Sequence, residues 1–271
     1  MSTPVLTLAL ALLLFLNPDS NSRSEIAENL RKALGQNEVS ILQKAAASAA
    51  DDLCPWSETG AMLREVAQEE GASLGALRAR VKEAHGMLIF EPLMESPMPN
   101  GFPDTTPPGE IQLKSYPKYR LARVQTEGIE TAAFWSLFAH IKQNKISMTA
   151  PVEMTYPSEE DQKHAPTMAF LYGPDAPQET EAAQGVDVLV IDPMTVVSSG
   201  HRGWQTPQRV EKAKERLLNW LAEERPDLEV VGPLRVLGYN SPSVRGDRRF
   251  FEVQFQIQPA KKKESGRTAA F

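Results

Sequence analysis

Lys145-Ile146-Ser147-Met148-Thr149-Ala150-Pro151-Val152 is the stretch on which the fold of this 271-residue chain turns. It follows an aromatic amphipathic segment, Phe134-Trp135-Ser136-Leu137-Phe138-Ala139-His140-Ile141. Ile146, Met148, Ala150, Val152 and Met154 alternate with Ser147, Thr149, Pro151 and Glu153, the period of a half-buried strand. The spacing predicts a helix that delivers the chain into a strand with a soft, Met-rich inner face. Pro151 has no N–H to give to a ladder, so that strand is expected to be an edge or to be bulged there.

Outward from this stretch, the chain reads as strand (about 117–126), helix (129–143), strand (145–156) and strand (166–173). After a loop rich in Pro, Glu and Ala the order recurs as strand (194–202), helix (206–224), strand (233–240) and strand (249–258). In the last strand Phe251, Val253, Phe255 and Ile257 share one face, with Glu252, Gln254, Gln256 and Gln258 on the other. The second helix carries an apolar stripe of Val210, Ala213, Leu217 and Leu221. Two β-α-β-β units without sequence identity imply a structural duplication. Strands with one apolar face imply antiparallel pairing, covered on one side by the two helices, hence an α+β fold.

Residues 23–90 read as a helical region. Ile26, Leu30 and Leu34 share a face that stops at Gly35. Met62, Leu63 and Val66 mark a second helix ending at Gly71, and Ser73 caps a third that bears Leu74, Leu77 and Val81 and closes at Gly86. Residues 91–110 are a Pro-rich linker, 111–258 the second domain, and 259–271 a basic tail that includes Lys261, Lys262 and Lys263. The apolar run at residues 5–16 is too short to span a bilayer but has the length of a signal-peptide core. Residues 1–22 are therefore expected to be a signal peptide and the protein to be exported, with a buried helix or an uncleaved anchor as the alternative.

The composition, 41% hydrophobic and 24% charged with a net charge of −6, is that of a globular protein and argues against nucleic acid as a partner. Cys54 is the sole cysteine, which excludes an intramolecular disulfide, a thiolate metal cluster and covalent c-type heme attachment. No nucleophile elbow, phosphate-cradling loop or dinucleotide fingerprint occurs. The four histidines, His85, His140, His164 and His201, show no metal-site spacing; His85 and His164 read as solvent-facing, His140 as lying at a boundary between core and solvent.

The order of residues from the aromatic helix into Lys145–Val152 resembles the signature of the SOUL family of heme-binding proteins. The resemblance runs from about Tyr116 to Ile257 and includes Tyr116-Pro117-Lys118-Tyr119-Arg120 and the Arg248-Arg249 pair, while residues 1–110 lie outside it. Where family members usually show Arg-Arg-Asn-Glu-Val, Phe250-Phe251-Glu252-Val253 adds an aromatic and lacks the Asn. The resemblance implies a distorted antiparallel β-barrel of two β-α-β-β halves flanked by two helices, with an N-terminal helical appendage. It also implies noncovalent binding of heme or another tetrapyrrole in a hydrophobic groove, for buffering or transport, and no enzymatic activity.

On that reading the groove draws on Phe134, Phe138, Met148, Val152, Met154 and Phe170. Lys145, Arg120 and Arg123 at its mouth would pair with the propionates through charge-assisted contacts. His140 and His201 are the candidate imidazole ligands for iron. A related barrel of effector-binding domains binds drugs and in some cases hydrolyses small molecules, so a small-molecule site or hydrolase using Glu153 is the alternative. A third reading gives the helical region a protein partner.

Overall fold

The structure, a computed structural model, describes residues 20–126, 130–157 and 165–261. The apolar run at 5–16, His164, and Lys262 and Lys263 of the tail lie outside the described residues. Among the described residues no helix is long and apolar enough to cross a membrane. The chain divides into two compact units. One holds the helices up to Glu91 together with Pro107–Gln112; the other holds Pro92–Thr106 and the chain from Leu113 onward.

The helical unit consists of α1 (Ser20–Leu34), α2 (Val39–Asp51), α3 (Glu58–Gln68) and α4 (Leu74–Leu88). Leu30, Leu42, Leu63, Leu77, Val81 and Ala84 form its core, each fully shielded from solvent. The Ser57 hydroxyl accepts from Gly60 N at the start of α3, and the Ser73 hydroxyl accepts from Ala76 N at the start of α4. These caps satisfy amides that a helix leaves orphaned. Two readings are corrected. The Ala-rich α2, which buries Leu42, Ala46, Ala49 and Ala50, is an additional helix. Gly86 does not stop α4, because Leu77, Val81, Ala84 and Leu88 continue one buried face beyond it. Glu110 is held in this unit by Arg23 at 2.8 Å and by the Ser57 hydroxyl at 2.7 Å.

The second unit contains β1 (Ile111–Tyr116, from Leu113), β2 (Tyr119–Gln125), α5 (Glu130–Gln143), β3 (Val152–Tyr156), β4 (Thr167–Leu171) and β5 (Asp187–Ile191). It continues with β6 (Met194–Arg202), α6 (Pro207–Glu224), β7 (Leu228–Gly238) and β8 (Phe250–Pro259). They build an eight-stranded curled half-barrel in the order β1-β6-β8-β7-β3-β4-β2-β5, with β1 and β5 as two strands beyond those read from the sequence. The expected duplication is plain in that order: β2-β4-β3 faces β6-β8-β7 across an antiparallel β3–β7 pair, in which Met154 opposes Val236. Each half's leading strand lies at the edge of the other half. α5 packs on β2 and β4, and α6 on β6, β7 and β8.

The signature stretch is where the period-two reading breaks down. Strand β3 begins only at Val152; the residues before it end a helix. Lys145 adopts φ 54°, Lys145 N donates to Lys142 O, and Ile146 N donates to Ile141 O at 2.8 Å. This is a Schellman ending with lysine where glycine is usual, closed by the apolar pair Ile141 and Ile146. The next residues bond elsewhere: the Thr149 hydroxyl donates to Leu171 O and Ala150 N to Pro97 O, and the Ala150–Pro151 bond is cis.

Opposite the helices, the sheet curls around a buried polar core, so Glu252 and Gln254 are fully enclosed rather than facing water. Glu252 accepts from Thr106 N (2.6 Å), Lys114 Nζ (2.5 Å) and the Tyr239 hydroxyl (2.6 Å). Gln254 links it to Arg235 (3.1 Å), and Arg235 grips Glu153 through two nitrogens at 3.2 and 2.8 Å. Phe102, from the Pro-rich segment, sits edge-on to Tyr116 and Tyr119 at 4.9 and 5.0 Å. That segment is therefore packed into the sheet unit. Burial pulls the Lys114 ammonium below its ordinary pKa, opposed by the adjoining Glu252 carboxylate.

Two stability outcomes follow from this architecture. Lys145→Gly relieves a left-handed side chain, about 1–2 kcal/mol, against about 0.5–1 kcal/mol for the freer unfolded chain, and should raise stability by up to about 1 kcal/mol, measured by urea unfolding; a loss would mean that the lysine stem stabilises the turn by packing. Glu252→Ala strands a buried ammonium and should cost about 3–5 kcal/mol. Adding Lys114→Met should recover much of that loss; an undiminished deficit would show that the ion pair is not the source.

Candidate functional site

α5 packs on β2 and β4 and α6 on β6, β7 and β8, so β3 and the strip where it meets β7 are left beneath a gap. There the structure opens a cleft of about 1420 Å³. Val152 and Met154 of β3 and Leu234 and Gly238 of β7 form its floor, with Met168 and Phe255 beside them. Phe134 and Trp135 project from α5; Val210 and Leu218 face them from α6. Trp135 is 59% exposed and Trp204, just before α6, is 51% exposed, so two indoles stand open to a ligand. Isolated surface apolar residues are ordinary, but a contiguous apolar trough between polar rims marks a binding surface.

One rim is a loop held at both ends. Glu95 accepts from Ser241 N at 2.6 Å and from its hydroxyl at 2.9 Å. Arg249 donates to Ser241 O at 2.6 Å and Asn240 O at 3.1 Å while its guanidinium stacks on Trp204 at 4.2 Å. On the opposite rim Lys214 pairs with Glu211 at 3.0 Å. Tyr239 connects cleft and sheet interior: it lines the cleft while its hydroxyl donates to buried Glu252. Burial beside that carboxylate pushes the Tyr239 hydroxyl well above its ordinary pKa, so it remains a donor.

Of the residues singled out from sequence, Phe134, Met148, Val152 and Met154 line this cleft. Phe170 stands behind them, buried and edge-on to Phe134 at 5.1 Å, and Phe138 stacks on Phe134 at 6.2 Å. The three basic residues lie elsewhere. Lys145 is the helix-ending residue described above. Arg120 stacks on Tyr172 at 5.0 Å and donates to Pro177 O, and Arg123 pairs with Asp187 at 3.6 Å.

Neither candidate histidine is among the cleft-lining residues. His140 is fully buried, its Nε2 2.7 Å from the Tyr172 hydroxyl. His201 lies under α6, its Nε2 2.9 Å from the Ser199 hydroxyl, its ring stacked on Phe251. Burial, reinforced by Arg216, Arg209 and Lys212, pulls His201 down to about 3, and burial lowers His140 too, so both imidazoles are neutral. Glu153 is buried on the opposite face of the sheet, paired with Arg235. Among the described residues no cluster of His, Cys, Asp and Glu could hold a metal ion. Sequence reading missed Trp204, Leu218, Val230 and Tyr239 as cleft residues, because they meet Met148 and Phe134 only through the β3–β7 pairing. Arg249 was visible as half of an Arg-Arg pair, without a place.

Residues 104–256, more than half of the chain, match the family model described as SOUL heme-binding protein. The chain belongs to the SOUL heme-binding protein family. A search of curated proteins gave no match. Among solved structures the SOUL unit is similar to the C-terminal domain of EcmrR, with TM-score 0.45 and 15% identity over 56% of this chain and 98% of that one. It is also similar to a hydrolase from Listeria innocua, with TM-score 0.42 and 14% identity over 56% of this chain and 94% of that one. Neither likeness bears on what the SOUL unit binds.

Burial of His201 should make this SOUL protein acid-sensitive. His201 has a folded pKa of about 3 against an ordinary 6.5, so the unfolded chain binds the extra proton between those values. Stability should be fully retained above pH 6.5 and decline as pH falls towards 3. His201→Gln should flatten that segment of the urea-midpoint curve; an unchanged slope would exclude His201 as its source.

Proposed function

We propose that the cleft binds heme or a related tetrapyrrole noncovalently, to buffer or carry it. The observation that carries this is the cleft itself: about 1420 Å³ of open, largely apolar trough flanked by two exposed indoles. Small-ligand pockets run to about 1,000 Å³, so this trough suits a larger, flat occupant. Indole and phenyl faces stack on a macrocycle, and Met148, Met154 and Met168 supply adaptable packing against its edge. The residues present fit the macrocycle better than its iron. When bound, a heme would supply only its own redox and ligand-exchange chemistry; the protein's part is to cover the ring and exclude water. No histidine or cysteine is among the described lining residues; its possible donors to iron are thioethers, hydroxyls and carboxylates.

The small-molecule or hydrolase reading called for a buried Glu153 with partners and a closed pocket too small for a porphyrin. Glu153 is buried and paired with Arg235 as that reading expects, but it lies on the face away from the cleft, and the cleft is open and large, which favours the tetrapyrrole.

Titrating the protein with heme should shift the Soret band and quench Trp fluorescence with near-equimolar saturation. Iron-free protoporphyrin IX should quench as well, and His140→Ala and His201→Ala should leave the heme spectrum in place, since neither imidazole lines the cleft. Met148→Asp sets a carboxylate in the apolar wall and should weaken binding about tenfold or more, whereas Ser147→Asp, exposed and off the cleft, should not. Absence of saturable quenching by either tetrapyrrole would overturn the reading.

A further inference from the structure

The rim charges of the cleft do not suit a dianion. Among the described residues three carboxylates line it, Glu95, Glu130 and Glu211, against two cations, Lys214 and Arg249. Both cations have commitments within the protein. Lys214 pairs with Glu211 at 3.0 Å, and Arg249 donates to the carbonyls of Ser241 and Asn240 while lying flat on Trp204. The carboxylate of Glu130, in the first turn of α5, adds to the burial that raises the hydroxyl pKa of Tyr156, itself on the cleft wall. A ligand's carboxylates seated here would have to displace existing partners or lie beside like charge.

We propose that the cleft selects tetrapyrroles poor in free carboxylates, with propionates esterified or absent, over dicarboxylate and tetracarboxylate porphyrins. The inference rests on the tetrapyrrole reading above and adds the ligand class. Glu211 is then the selecting residue: it contributes one rim carboxylate and keeps Lys214 from a ligand's propionate.

The test is Trp-fluorescence titration of the full chain with protoporphyrin IX, its dimethyl ester and coproporphyrin, all from the same solvent stock, at low and high salt. The ester should bind tightest and coproporphyrin weakest. Raising salt should strengthen diacid binding relative to the ester, because it screens repulsion. Glu211→Gln should tighten diacid binding by about fivefold, the scale of one exposed charge pair, and narrow its gap to the ester. Diacid binding that exceeds the ester's, weakens with salt and falls in Lys214→Ala would overturn the inference while leaving the tetrapyrrole site standing. Failure of all three porphyrins to quench saturably would remove the site and the inference together.

Discussion

The sheet unit is organised around one carboxylate. Glu252 has no solvent exposure and accepts from Thr106 N, Lys114, Ser198, Tyr239 and Gln254, which come from β1, β6, the end of β7, β8 and the Pro-rich segment. A buried anion is tolerated only when its lone pairs are met, and each donor brings its own backbone with it. Through Gln254 and Arg235 the same network reaches Glu153 on β3, so both halves of the duplication are tied from inside. The curl of the sheet follows: strands converging on one point cannot lie flat.

The cleft is the other side of that arrangement. Curling turns the polar face inward and leaves the apolar face to two helices, one for each half. A helix is about 10–12 Å across with its side chains, and neighbouring strands lie about 4.8 Å apart. With α5 on β2 and β4 and α6 on β6, β8 and β7, neither helix covers β3, and the strip where it meets β7 stays open. Met154 and Leu234, core residues by chemistry, become the floor of a trough. The fold holds open an apolar surface where it could have closed it, and the pinned rim formed by Glu95, Ser241 and Arg249 keeps it in shape.

The repeated strand–helix–strand–strand order, the Ser73 cap, the whole of β6 and the apolar face of β8 were legible in the chain. Each rests on spacing within a few residues, which neighbours along the sequence enforce by themselves. Membership of the SOUL family was legible for the same reason, in one contiguous stretch. That stretch nonetheless misled locally. Its alternation looked like a strand from Lys145, yet the helix-ending bonds of Lys145 and Ile146 claim those amides first, a competition that periodicity does not record.

Only the tertiary structure decided that both faces of β8 are interior. Glu252 and Gln254 look like solvent positions in an alternating strand, and become core because Lys114 arrives from β1, 138 residues away, and Arg235 and Tyr239 from the neighbouring β7 and its end to satisfy them. The same holds for the cleft. Phe134, Met148, Val152 and Met154 announced themselves as an apolar set, but Trp204, Leu218 and Tyr239 join them only when β3 pairs with β7. Local sequence determined which elements form and which faces are apolar, because those depend on backbone geometry and side-chain period. What encloses those faces depends on partners about 80 residues away, and no local period carries that information.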